Sequence, residues 1–169
     1  YLQVDETPVR YLESSGKGGS KRGYMWVYLD PAGEVLFQWS TGRAATAPAE
    51  FLGPEYRGIL QCDGYSAYTS LRNQHSARIT LANCWAHSRR TIFDASPEAP
   101  RTAAWLLGQI QAMYAIERTL REARAGPTLR AAIRTGQTAM TVERLFKAMK
   151  RLRSRCLPGG AMARALDYA

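Results

Sequence analysis

The chain has 169 residues, a net charge of +9, 46% hydrophobic residues and 22% charged residues, values that are typical of a globular domain and exclude a disordered tail or a collagen-like rod. No apolar run approaches the roughly 18 residues that a membrane-spanning helix needs, so we expect no membrane attachment. The chain begins with Tyr1 and shows no basic and then apolar leader, from which we expect a segment of a longer protein without a targeting signal.

The first third of the chain predicts three antiparallel strands. Alternating, aromatic and branched residues place these strands over residues 1–9, 24–29 and 35–39. The stretch 13–23 is rich in Gly, Ser and Lys and predicts a loop. Asp30-Pro-Ala-Gly33 predicts a tight turn, because Pro presets φ and Gly tolerates positive φ.

The middle of the chain alternates helices and strands. We predict a short helix over 47–52 capped by Thr46, then strands over 58–63 and 78–82, and helices over 65–71 and 85–95. Strands that are joined through helices pair in parallel. The resulting order, β-β-β-α-β-α-β-α, is that of the ribonuclease H-like fold, so we predict an α/β protein with a ribonuclease H-like mixed sheet.

From residue 97 onward the sequence predicts only helices. Apolar residues recur at helical spacing over 103–120 and again over 142–152, and Gly126-Pro127 separates the two runs. A last short helix is predicted over 161–168. We therefore predict a ribonuclease H-like core over residues 1–96 and a basic helical extension over residues 97–169.

The net charge belongs to the second half of the chain. Residues 1–84 carry eight Lys or Arg and eight Asp or Glu, whereas residues 85–169 carry fifteen and six. This asymmetry suggests a polyanion partner, although a solvated helical face rich in arginine is an equally ordinary explanation. The candidate nucleic-acid contacts are His87, Arg89, Arg90, Lys147, Lys150 and Arg151. His87 could instead make a structural hydrogen bond.

Two aspartates fall at strand positions where carboxylates are unusual. Asp5 lies within the first predicted strand, with Glu6 on the opposite face, and Asp63 ends the fourth. If these strands are neighbours, the two carboxylates face each other and repel unless a cation lies between them or one is protonated. Hard oxygen ligands select Mg²⁺ or Mn²⁺. The alternatives are a simple turn role for Asp63 and a surface arginine partner for Asp5.

The three cysteines, Cys62, Cys84 and Cys156, are too few and too scattered for a disulfide framework. Zinc would need four ligands at close spacing, and Cys84 with His87 is the only nearby pair. We therefore do not expect structural zinc within the chain, and the role of Cys84 and His87 stays open.

Five stretches resemble the bacterial insertion-sequence 66 family of DDE transposases, in the same order along essentially the whole chain. They are Val4-Asp-Glu-Thr-Pro-Val9, Gly23-Tyr-Met-Trp-Val-Tyr28, Leu60-Gln-Cys-Asp-Gly-Tyr65, Cys84-Trp-Ala-His-Ser-Arg-Arg90 and Met113-Tyr-Ala-Ile-Glu-Arg118. The resemblance implies a catalytic core that cuts and joins transposon DNA ends with a divalent metal. It also implies that Asp5 and Asp63 are the first two catalytic aspartates, and that the protein is a nucleoid-associated, cytoplasmic bacterial protein that works as a homo-oligomer.

The third acid of that family, a glutamate, lies in an Asn-Asn-x-x-Glu stretch that this sequence lacks, so we expect the chain to stop before it. Glu117 falls on a predicted apolar helix face, where we expect it to be buried and paired with an arginine rather than catalytic. Two other functions remain open at this point. One is a ribonuclease H-like nuclease or resolvase, and the other is a catalytically incomplete nucleic-acid-binding module.

Overall fold

The structure is a computed structural model that describes residues 1–12, 19–74 and 78–169. The chain forms two compact units, Tyr1–Cys84 and Trp85–Ala169. The division between them falls where the neutral half of the sequence meets the basic half. The proposed domain boundary between residues 96 and 97 stays a prediction.

The first unit is built on one mixed sheet of five strands in the order β3-β2-β1-β4-β5. The strands are β1 (Leu2–Tyr11), β2 (Lys21–Leu29), β3 (Val35–Ser40), β4 (Gly58–Cys62) and β5 (Ile79–Asn83). β1, β2 and β3 pair antiparallel, whereas β4 pairs in parallel with both β1 and β5. Helices α1 (Thr46–Leu52) and α2 (Ser66–Gln74) connect the parallel strands. The predicted mixed α/β class and order of elements are confirmed.

Three local predictions can be compared with the structure. Asp30-Pro-Ala-Gly33 does turn the chain, with Gly33 at φ 94° and the backbone N–H of Glu34 donating to Asp30 Oδ1 at 2.9 Å. β2 begins at Lys21, so the end of the predicted loop 13–23 is strand, while residues 13–18 lie outside the described residues. Thr46 does not cap α1, because it is the first helical residue and Ala45 occupies the N-cap.

One face of the sheet forms the core of the first unit. Alternation along β1 directs Val4 and Glu6 to this face and Asp5 to the other, where it is exposed. The fully buried side chains of this core include Trp26, Tyr28, Leu60, Tyr68, Leu71 and Ile79. A shift of one residue along β1 would bury Asp5 and expose Val4, so apolar burial fixes the register that positions both acids.

The second unit contains helices only. They are α3 (Trp85–Asp94), α4 (Pro100–Glu122), α5 (Pro127–Ile133), α6 (Ala139–Arg153) and α7 (Ala161–Tyr168). A π-helical turn over Arg134–Thr138 joins α5 to α6, so the helix that the apolar pattern predicts from residue 142 in fact begins at Pro127. The polar, Gly-containing turn carries no apolar periodicity, which is why the pattern could not show this continuity.

The core of the second unit lies between α3, α4, α6 and α7, where Ile92, Leu106, Ile110, Leu145 and Met162 are buried. The carboxylate of Glu98 accepts hydrogen bonds from the backbone N–H groups of Ala161 at 2.6 Å and Met162 at 3.2 Å. Negative charge at a helix N-terminus is stabilising, so Glu98 holds α7 in place. In the part of the chain that the structure describes, no helix is long and apolar enough to cross a membrane.

Candidate functional site

Asp5 and Asp63 lie on neighbouring parallel strands. β1 and β4 are hydrogen-bonded to each other, and their register pairs Gln3 with Gln61. Continuing that register by two residues on each strand brings Asp5 level with Asp63, which directly follows β4. Adjacent strands lie about 4.8 Å apart, so the predicted condition for a shared carboxylate site, neighbouring first and fourth strands, is met.

Each aspartate uses one carboxylate oxygen for a local backbone hydrogen bond. The N–H of Glu6 donates to Asp5 Oδ1 at 2.9 Å, and the N–H of Tyr65 donates to Asp63 Oδ1 at 2.9 Å. The bond to Tyr65 is the turn role expected of an Asp-Gly pair. It holds the Asp63 carboxylate in one orientation, with Oδ2 3.9 Å from a guanidinium nitrogen of Arg43.

Near Asp63 lies a charge cluster around the buried carboxylate of Glu6, which the sequence did not reveal. The Glu6 side chain is only 1% exposed, and the Arg43 guanidinium reaches it through Nε at 2.6 Å and a terminal nitrogen at 2.5 Å. The hydroxyl of Tyr68 donates to the other oxygen of Glu6 at 2.7 Å. Burial, with added effects of the Glu6 carboxylate, raises the pKa of Tyr68 well above its usual range.

Arg43 contacts Tyr65 through both its side chain and its backbone, and it pairs with Glu6. Its guanidinium carbon lies 3.9 Å from the centre of the Tyr65 ring, and its backbone oxygen accepts a hydrogen bond from the Tyr65 hydroxyl at 2.9 Å. Desolvation opposes the charge on Arg43, but the hydrogen bond and attraction to Glu6 prevail and raise its pKa. Arg43 therefore links Glu6, on the core face of β1, to Asp63 after β4.

One signal in the sequence could have revealed this cluster. Glu6 shares the buried side of β1 with Val4, and a carboxylate at such a position needs a cation or a proton. The alternation predicted its face correctly. What the sequence did not provide was the partner, because Arg43 lies far away in the chain, in the loop before α1.

The donor set at the site suits a hard divalent cation. Asp5 and Asp63 offer carboxylate oxygens, and Mg²⁺ in enzymes is commonly held by one or two carboxylates together with substrate phosphates and water. Within residues 1–12, 19–74 and 78–169, no group of three or more His, Cys, Asp or Glu is placed to hold a metal ion. Metal binding by Asp5 and Asp63 therefore stays a prediction, and further ligands of such an ion would come from other groups.

The candidate nucleic-acid contacts all lie in the second unit, on two helices. Arg89 and Arg90 are exposed on α3, and His87 on the same helix is partly buried. Lys147, Lys150 and Arg151 are exposed on α6. Lys147 and Arg151 line one groove together, whereas Arg89 lines a different groove beside α4. The structure therefore divides these residues between separate surfaces.

Glu117 has the arginine partner that the sequence suggested. Nε and a terminal nitrogen of Arg134 donate to its two oxygens at 2.7 and 2.8 Å, and Arg130 lies 3.7 Å away. The hydrogen bond from Arg134 lowers the pKa of Glu117. The expected burial is wrong, since the Glu117 side chain is 31% exposed.

The three cysteines are free thiols. Cys62 is buried at the end of β4, and burial, helped by the nearby Asp63 and Glu6 carboxylates, raises the pKa of its thiol to about 12. A thiol of this kind is neutral at physiological pH and is inert as a nucleophile. Cys84 and Cys156 are partly buried.

The sequence of the whole chain is similar to sequences of known proteins. The family model described as "Transposase IS66 family" matches residues 1–169. An uncharacterised protein of Sinorhizobium fredii, y4qI, is 31% identical over 98% of this chain and 33% of its own length. A second uncharacterised protein of that organism, y4jD, is 30% identical over 79% of this chain and 27% of its own length. The chain thus spans a third or less of the length of the curated relatives that it matches, and no solved structure matches it.

Proposed function

This chain belongs to the IS66 family of transposases, and we propose from that premise that it is the catalytic-core segment of a DDE-type transposase with a ribonuclease H-like fold. The proposed reaction is metal-dependent phosphoryl transfer, which cleaves DNA at the transposon ends and joins them to a target. The observation that carries this proposal is that Asp5 and Asp63 occupy matching register positions on two neighbouring parallel strands.

In this proposal Asp5 and Asp63 hold Mg²⁺ or Mn²⁺ through their carboxylates. When bound there, the ion supplies positive charge that activates an attacking oxygen and stabilises a leaving oxygen of the phosphodiester. The third acidic ligand lies outside this chain, in the longer transposase of which we propose the chain is a part. In this proposal Glu117 has a structural role instead, because Arg134 engages its carboxylate.

The chain's own residues position the second aspartate. Tyr65 N–H fixes Asp63 Oδ1, and Arg43 approaches Oδ2 while Glu6 and the Tyr65 ring hold its guanidinium. A cation already near Asp63 reduces the repulsion between the two carboxylates before a metal binds. Arg43 is therefore a positioning residue in this proposal, and Glu6 anchors it.

DNA is the proposed polyanion for the basic half of the chain. Exposed Arg89, Arg90, Lys150 and their neighbours would contact backbone phosphates, and such contacts position DNA without reading its sequence. Affinity carried by these contacts falls steeply with salt. We further propose that the active complex contains several copies of the protein and works on the bacterial nucleoid.

The test replaces Asp5 or Asp63 with Asn in the protein that carries this chain. We expect cleavage of transposon-end DNA to fall by a factor on the order of 10³ or more, because several kcal/mol of metal-derived stabilisation are lost at about 1.4 kcal/mol per tenfold. DNA affinity in metal-free buffer should stay unchanged. Calorimetric titration with Mn²⁺ should show weaker binding for both variants.

Asp30→Asn is the matched control, since Asp30 also accepts a backbone hydrogen bond in a turn of the first unit. It should cleave and bind Mn²⁺ like the parent protein. Retention of cleavage by Asp63→Asn would overturn the catalytic assignment. A protein that cuts but never joins a labelled end to target DNA would instead be a nuclease or resolvase.

A further inference from the structure

A basic groove of about 680 Å³ lies within the second unit, lined by α4, α6 and the residue stretch just after α6. Its cations come from one face, Arg144, Lys147, Arg151 and Arg155, and Trp105 of α4 lies among them. We name this surface the α6 groove. It contains two of the contacts proposed from the sequence, Lys147 and Arg151, and adds residues that the sequence did not single out.

The charge of the α6 groove is only partly compensated. Glu143 also lines it and accepts a hydrogen bond from Lys147 Nζ at 2.6 Å. Arg144 donates at 2.7 Å to the side-chain oxygen of Gln109, a neutral amide that leaves the guanidinium charge in place. Arg151 and Arg155 are exposed to solvent. The groove therefore presents excess positive charge to an incoming ligand.

The cations form a row rather than a cluster. Arg144, Lys147 and Arg151 recur every three or four residues of α6, and at 1.5 Å per helical residue this places one about every 4.5–6 Å along roughly 10 Å. Arg155 follows just after the helix ends. Phosphates repeat along any nucleic-acid strand, so a row of cations suits a strand that carries several successive phosphates. A lone phosphate group would use only one or two of these cations.

Trp105 distinguishes between single-stranded and double-stranded nucleic acid as the ligand of the groove. Trp105 is 41% exposed although it is a large aromatic residue. An indole face beside a row of cations can stack on a base, but the bases of a duplex are already stacked on each other. We propose that the α6 groove binds a single-stranded or unpaired segment of DNA, with its phosphates on the cations and a base on Trp105.

This inference rests on the proposed function only in taking DNA as the nucleic acid. The test measures fluorescence anisotropy of a labelled 15-nucleotide strand and of the duplex of the same length with the protein that carries this chain. We expect the single strand to bind more tightly. Arg151→Gln combined with Arg155→Gln should reduce the slope of log affinity against log salt by about 1.4, since two single-strand phosphate contacts are removed.

Trp105→Leu keeps the apolar bulk and removes the aromatic face. It should weaken single-strand binding by about 5- to 150-fold, the range that corresponds to stacking of one base, and leave duplex binding unchanged. Trp105→Phe retains a stacking surface and should lose less affinity. Quenching of tryptophan fluorescence by the single strand should largely disappear in both variants.

The control is Arg101→Gln combined with Arg124→Gln, which removes the same charge from exposed positions outside the groove. An equal loss of affinity in this control would overturn the groove as a specific site. Unchanged single-strand affinity in Trp105→Leu would overturn the stacking contact. These binding measurements are independent of the cleavage assay on the Asp63→Asn variant. Either proposal can therefore fail while the other stands.

Discussion

The two units treat charge in opposite ways. In the sheet unit, Glu6 and Arg43 form an ion pair in which the carboxylate side chain is 1% exposed, and that pair borders the proposed metal ligand Asp63. In the helical unit, the pair Glu143–Lys147 has side chains that are 67% and 70% exposed, and cations outnumber anions. A buried ion pair holds its side chains in fixed positions, whereas exposed excess positive charge attracts an anionic ligand. This contrast agrees with the proposed function, in which the sheet unit carries the catalytic aspartates and the helical unit binds DNA.

The largest effects should come from the separate cores of the two units. Leu60→Ala in the sheet unit and Ile110→Ala in the helical unit each empty a fully buried site, and each should lower the free energy of unfolding by about 2–5 kcal/mol. Hydrogen exchange followed by mass spectrometry should accelerate mainly in the unit that carries the substitution. If either change accelerated hydrogen exchange equally in both units, the two units would unfold together. That result would contradict their description as separate units.

The buried ion pair should matter more than the exposed one. Glu6→Gln leaves Arg43 without its anion and weakens the hydrogen bond from Tyr68, and we expect a loss of about 2 kcal/mol in urea unfolding. The loss is smaller than for a fully buried pair because the Arg43 side chain is 40% exposed. Glu143→Gln is the matched control.

That control removes a carboxylate of the same size from an exposed helical pair, and its unfolding midpoint should not move measurably. Equal losses in the two variants would contradict the contrast between buried and exposed charge. Glu6→Gln should also weaken Mn²⁺ binding at Asp63, because Arg43 loses its anchor.

The sheet was the more predictable half of the fold. Alternation along β1, the Asp30–Gly33 turn and the Asp-Gly exit at Asp63 are local signals, and together they predicted where strands begin and end along the chain and the faces of Asp5 and Glu6. The partner of Glu6 could not be predicted, because the contact with Arg43 depends on how distant segments pack. Local patterns carry no information about such a pairing.

The α6 groove of the helical half could not be predicted for a different reason. The apolar stripes predicted α4 and most of α6 because a buried face repeats every 3.6 residues. Trp105 lies in the same stretch of apolar residues, and only the structure shows that it faces a groove beside the cations of α6. The polar turn Arg134–Thr138 likewise gave no periodic signal for the continuous helix around it.

The smallest predicted effect concerns Glu117. Its side chain is more exposed than that of Glu6 and less exposed than that of Glu143. Its pKa is lowered by the hydrogen bond from Arg134, so its contribution to stability is fully present above the unfolded-state pKa of about 4.3 and is lost as pH falls through the folded-state value. Glu117→Gln should cost about 0.5–1 kcal/mol at pH 7, since both side chains are partly exposed. The difference from the parent protein should shrink below about pH 4.

Arg134→Gln and the double variant complete a cycle that isolates this pair. If the two-point contact carries the energy, either single change should remove most of it and the second change should add little. Additive losses would mean that Arg130, 3.7 Å from Glu117, takes over when Arg134 is removed. A difference between Glu117→Gln and the parent protein that persists unchanged to pH 3 would refute the ionised pair. Glu117 would then stabilise the helical unit through packing rather than charge.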